Sequence, residues 1–210
     1  MTTPLVTSPS AQGSTPAKLP VLEVFVDLPN FERALKRVSL PAKIDLVKLG
    51  EDVAGTTRYL KQVHAFAASS ERDTATGRLR PEGYHQNLAV MPKVNLQLGH
   101  RLDHTDARGA HADQSASDIG REKGVDVGLA ITMMERACDN TFDIALLIAN
   151  DSDYCVLMQQ VAARGKTVLW GHLEYQATHD RMKNACSYPY RLQPKVIRAC
   201  VIGGGRPARS

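Results

Sequence analysis

The chain has 210 residues, 43% of them hydrophobic and 23% charged, which fits one folded domain with a substantial core and excludes a wholly disordered chain. Its 26 basic and 22 acidic residues leave a formal charge of +4, which admits an anionic partner without demanding one. No run of eighteen apolar residues and no basic-then-apolar leader occur, so the expectation is a cytoplasmic protein without a membrane span.

In chain order, residues 1–19 are rich in Thr, Ser, Pro and Ala without periodicity and read as a disordered tail; 20–202 form the domain, and 203–210 a second flexible tail. VLEVFVD, residues 21–27, reads as a first strand with Asp27 at its end. A helix follows from about Asn30 to Val38, entered through Pro29 and stopped by Pro41. On its own, Asp27 reads as the cap of that helix. A second strand is expected at Tyr59–Ala68, a solvated loop over 69–80, a helix at Pro81–Met91 and a third strand at Val94–Leu102. This alternation predicts an α/β fold with a parallel sheet.

Residues 103–120 break the rhythm with Asp103, His104, Asp106, His111, Asp113 and Asp118. Their spacing matches no closed zinc geometry, and a mobile loop is the better reading. KGVDVGLAITMMERA, 123–137, then opens a helix after Gly124, with Val127, Ala130, Ile131 and Met134 on the expected inner face, Leu129, Met133 and Ala137 widening it, and Asp126 in the first turn. Cys138, Cys155, Cys186 and Cys200 are far apart, form no C-x-x-C pair and read as buried thiols in a reducing compartment.

The most informative stretch is LLIANDSDY, 146–154. A continuous apolar run ends abruptly in Asn150, Asp151, Ser152 and Asp153, and Tyr154, Leu157, Met158 and Val161 then recur at helical spacing up to Arg164 and Gly165. A buried strand thus delivers two carboxylates to the turn entering a helix. Helix capping and a binding site explain this turn equally well, because capping needs only one such residue and two adjacent acids repel unless a cation or proton lies between them. Further on, a strand is expected at Lys166–Gly171, an amphipathic helix at 174–186, and one short strand at most between Tyr188 and Val201.

Taken together, VDLPNF, KGVDVGLA and IANDSDYCVLMQQVAARGK resemble, in order and separation, the NYN domain family of PIN-like nucleases over about residues 21–172. The resemblance implies a PIN-like three-layer α/β/α sandwich with a mainly parallel central sheet. It also implies that Asp27, Asp126, Asp151 and Asp153 line one acidic pocket that binds Mg²⁺ or Mn²⁺ and catalyses hydrolysis, supported on the substrate side by Asn30 and Ser152. Two positions depart from the family pattern: Asn150 replaces the usual Gly, and Tyr154 the common Phe. Residues 100–122 contain none of the cysteine pairs that hold zinc in many relatives, so no zinc hairpin is expected.

A cluster of carboxylates is a hard oxygen site, suited to a cation that activates water against a phosphodiester. Lys123, Arg121, Arg33 and Arg101 are the candidates to meet substrate phosphate, and such contacts fix the backbone without reading bases. The expected function is a metal-dependent endoribonuclease acting on single-stranded RNA. The alternatives are a catalytically weak RNA-binding or protein-interaction module on the same fold, or another metal-dependent phosphodiesterase or DNA nuclease. Tyr59, Tyr84 and Tyr154 read as ordinary packing residues rather than base-stacking platforms, and homodimer formation is compatible with the sequence.

Overall fold

The computed structural model describes residues 18–69, 71–102, 121–173 and 180–202. Seven strands form one sheet: β1 (Val21–Asp27), β2 (Tyr59–Ser69), β3 (Val94–Leu102), β4 (Arg121–Lys123), β5 (Ile144–Ile148), β6 (Thr167–Leu173) and β7 (Tyr188–Leu192). Their spatial order is β4-β3-β2-β1-β5-β6-β7. Six strands run parallel, and only the short edge strand β4 is antiparallel to its neighbour β3. The expected mainly parallel α/β sheet is therefore present.

Alternation along β1 builds the three layers, because successive side chains of a strand face opposite ways. Leu22, Val24 and Val26 pack into one apolar cluster with α1 (Leu28–Arg37), α2 (Leu46–Ala54), α3 (Tyr84–Val90) and α7 (Pro194–Ala199). Phe25 packs into the other, with α4 (Val125–Cys138), α5 (Cys155–Ala162) and α6 (Asp180–Ala185). Glu23 and Asp27 share the Phe25 face. Because β2 and β3 extend from one side of β1 while β5, β6 and β7 extend from the other, the chain reverses its winding between β1 and β5. A crevice opens at such a reversal, outside the carboxyl ends of the two strands.

Several expectations need correction. The inner face of α4 consists of Val125, Leu129, Met133 and Ala137, whereas Val127 and Ile131 are 62% and 53% exposed. Leu129, Met133 and Ala137 face inward as expected and Ala130 and Met134 are partly buried, so periodicity erred only at Val127 and Ile131, because apolar residues occupy both sides of this helix. Residues 188–201 hold a helix as well as a strand: Pro194 stands in the first turn of α7, and Ile197 and Cys200 pack inward. Helix α2 was not anticipated, although Asp45 caps it by accepting from the Lys48 N–H at 2.9 Å and Leu46, Leu49 and Val53 follow at helical spacing. The helix expected from Pro81 begins only at Tyr84, after Gly83 at φ +49°. Of the cysteines, all free, Cys155 and Cys200 are buried, Cys186 is half-buried and Cys138 is exposed. The polar insertion 103–120, both tails beyond 18–202 and the first part of the helix expected at 174–186 lie outside the described residues.

Candidate metal and nucleic-acid site

Asp27 ends β1 at the crevice and is 3% exposed. Its two carboxylate oxygens do different work. Oδ1 accepts the Asn30 backbone N–H at 3.0 Å and so caps α1, while Oδ2 accepts the Tyr154 hydroxyl at 3.1 Å. The capping reading of Asp27 and the site reading are both satisfied by one side chain.

Asp126 arrives from a different element. Gly124 adopts φ +85°, a conformation that glycine reaches without steric cost, and turns the chain from β4 into α4. Asp126 then stands in the first turn with its side chain exposed, and its Oδ1 lies 2.8 Å from the same Tyr154 oxygen, so the single hydroxyl proton is shared between the two acids in a three-centre hydrogen bond. The two acids, 99 positions apart in the chain, are therefore no farther apart than two hydrogen bonds laid end to end.

Asp151 and Asp153 reach the same edge of the sheet. β5 pairs with β1 so that Ile148 stands opposite Val26, and Asp151 follows three residues later. Asp151 Oδ1 accepts the Asp153 N–H at 3.0 Å and caps a 3-10 turn over Ser152–Tyr154, leaving Asp153 exposed and Ser152 half-exposed. Asn30 ties the two strand ends together: its side-chain oxygen accepts the Asn150 N–H at 2.9 Å while its own N–H serves Asp27. Asn30, expected to support substrate, thus has a framework role in the described structure. The Trp170 indole N–H donates to Ala149 O at 2.8 Å and steadies the same turn.

The structure brings Asp27 and Asp126 onto one oxygen and puts Asp151 and Asp153 on the neighbouring turn. Among the described residues, no three His, Cys, Asp or Glu side chains form a group that could hold a metal ion. The donor chemistry nevertheless suits a hard divalent cation, since every candidate group offers oxygen. Burial, with the charge of Asp126 adding to it, pushes the Asp27 carboxyl up to about 6, and a neighbouring cation would relieve that cost. The Tyr154 hydroxyl is pushed above its ordinary range by burial and then by the same two acids, so it stays protonated and acts as a donor. In the turn, Asn150 Oδ1 is buried without a hydrogen-bond partner among the described residues, one more oxygen at this edge.

Of the basic candidates, Arg33 is exposed on α1, and its charge favours the ionised form of Asp27. An open groove of about 510 Å³ lies alongside, lined by Pro29, Glu32, Arg33, Lys36, Ser39, Leu40 and Ala42. Lys36 was missed from sequence; its signal was helical spacing of three from Arg33. Arg101 lies in β3, and Arg121 and Lys123 in β4; in backbone register Lys123 stands opposite His100, and Glu122 opposite Arg101.

Tyr154 was the principal omission. The sequence marks it as packing material, and its ring is indeed buried, but its hydroxyl joins the two acids. The visible signal was its departure from the Phe common in the family.

Comparisons with known proteins agree with this frame. A structure of a protein of unknown function from Vibrio parahaemolyticus is similar in fold, with a TM-score of 0.55 and 17% identity over 83% of this chain and 93% of that one. No curated protein matches. The NYN domain profile matches residues 22–193, a span that runs from Leu22 in β1 past the end of β7 and contains all four acids. The chain therefore belongs to the NYN domain family, a family of PIN-like ribonucleases.

Proposed function

We propose that this protein is a divalent-metal-dependent endoribonuclease that cuts single-stranded RNA, with Asp27, Asp126, Asp151 and Asp153 as its catalytic acids. The observation that carries the reading is the meeting of Asp27 and Asp126 at the crevice between β1 and β5, beside the turn bearing the other two. Carboxylates gathered at a strand-end crevice, one of them buried, are costly without a cation and useful with one.

Asp27 and Asp126 would hold Mg²⁺ or Mn²⁺, with Asp151 and Asp153 completing the ligand set directly or through water. When bound, the cation supplies a water of lowered pKa and offsets charge on the phosphodiester. Asp153, the most exposed of the acids on the turn, is suited to take the proton released by the attacking water onto its carboxylate. Asn30 fixes the spacing of the two strand ends during this chemistry. Arg33 and Lys36 along the α1 groove, with Lys123, Arg101 and Arg121 beyond the other side of β1, would meet phosphates on either side of the scissile bond. A flexible single strand fits a metal cleft better than a stiff duplex.

A second reading, an RNA-binding module without turnover, is favoured by the lack of a three-acid group among the described residues. End-labelled single-stranded RNA separates the two. The nuclease reading predicts cleavage with Mn²⁺ or Mg²⁺ that is abolished by EDTA and reduced at least a hundredfold by Asp27→Asn. Binding with no cleavage in any divalent cation would support the module instead, and competition with single-stranded DNA would report the sugar preference.

A further inference from the structure

We infer that Tyr154 is a positioning residue for the acid pair: its buried hydroxyl gathers the Asp27 and Asp126 carboxylates to one point, so that a divalent cation meets a pair already assembled. The inference rests on the metal-centre reading above and adds a residue outside the four acids.

The hydroxyl is well placed for this role. Tyr154 is 2% exposed, and its ring belongs to the apolar cluster that also contains Phe66, Leu129, Leu157 and Met182, so the oxygen is fixed by packing. Tyr154 also closes the 3-10 turn that begins after Asp151, with its N–H donating to Asp151 O at 3.3 Å. One side chain therefore links three elements: the end of β1, the start of α4 and the turn after β5.

The two acids differ in how much they need this link. Asp27 is already held by the Asn30 N–H, whereas Asp126 is exposed and no other hydrogen bond to its carboxylate is described. Repulsion from Asp27 would turn the Asp126 carboxylate toward water if the hydroxyl were absent, and a cation would then have to recover it. Accepting one hydrogen bond does not exhaust a carboxylate, which keeps further lone pairs for a metal. Partners of this kind, which orient ligands without binding the metal, typically contribute about 10- to 100-fold in metal affinity.

Tyr154→Phe removes one oxygen atom and keeps the ring. Titration of the full chain with MnCl₂ in a calorimeter, paired with thermal melts in EDTA, gives the test. The Mn²⁺ dissociation constant is expected to rise about 10- to 100-fold, while the melt in EDTA remains cooperative. The same substitution in an Asp126→Asn background is expected to change Mn²⁺ affinity by less than threefold, because the partner through which Tyr154 acts has lost its charge. Unchanged or tighter Mn²⁺ binding by Tyr154→Phe, with only a lowered melting temperature, would overturn the inference and leave a packing role. Absence of Mn²⁺ binding by the unsubstituted protein would instead overturn the metal-centre reading together with this one.

Discussion

Asp27 concentrates the tension of the molecule in one side chain. It is buried at a strand end, near a second acid, and is held by one backbone N–H and one hydroxyl. Its carboxyl is pushed from 3.8 to about 6, so the folded state holds this proton more tightly than the unfolded state. The resulting contribution to stability is complete below the unfolded value and is lost as pH rises through the folded one. The metal-free protein should accordingly lose up to about 3 kcal/mol from this group between pH 4 and pH 7. Asp27→Asn should recover about 1–3 kcal/mol at pH 7 in EDTA, since the amide can still cap α1. Urea denaturation at both pH values measures both effects, and a variant less stable than its parent at pH 7 would contradict them. Asp27 was legible at its strand end, but its meeting with Asp126 was legible only through the family resemblance, because nothing in the local sequence of α4 points 99 residues back to β1.

At the scale of elements, α4 is fastened to β1 at both ends. Its first turn is joined to β1 through Asp126, Tyr154 and Asp27, and its last turn through Arg136, whose guanidinium grips both oxygens of the fully buried Glu23. Burial would raise the Glu23 carboxyl, but hydrogen bonds from Arg136 and His64 hold it down at about 2; His64 Nε2 lies 3.0 Å away and its ring stacks on Phe25. Glu23→Gln leaves the guanidinium without its counter-charge and should cost about 3 kcal/mol at pH 7. By loosening α4, it should also weaken Mn²⁺ binding although residue 23 touches no candidate ligand. Chemical denaturation and Mn²⁺ titration of this variant check the two effects, and full stability would contradict the clamp. This network was invisible in the sequence: β1 read as an apolar strand ending in Asp27, and Arg136 lies 113 positions from Glu23. The misplacement of Val127 and Ile131 on the inner face of α4 has a related cause, since these exposed residues are as apolar as those that face the sheet.

Across the whole molecule, the site follows from topology. Winding to one side of β1 and then to the other opens a crevice between β1 and β5, and the chain puts an acid at the end of each strand facing it. That much was legible, because apolar runs ending in Asp27 and in Asn-Asp-Ser-Asp mark buried strands that change character at their carboxyl ends. Helices α2 and α7 escaped because they have only nine and six residues, too few turns for an apolar repeat to stand out before tertiary packing secures it. The central claim is that acids from β1, α4 and the turn after β5 converge on one cation. Anomalous difference density from a crystal of the full chain grown with Mn²⁺ tests it most directly. The account predicts a peak bound by Asp27 and Asp126 and facing Asp151, lost in Asp27→Asn. Saturating Mn²⁺ with no peak there, or a peak only at a distant surface carboxylate, would contradict it.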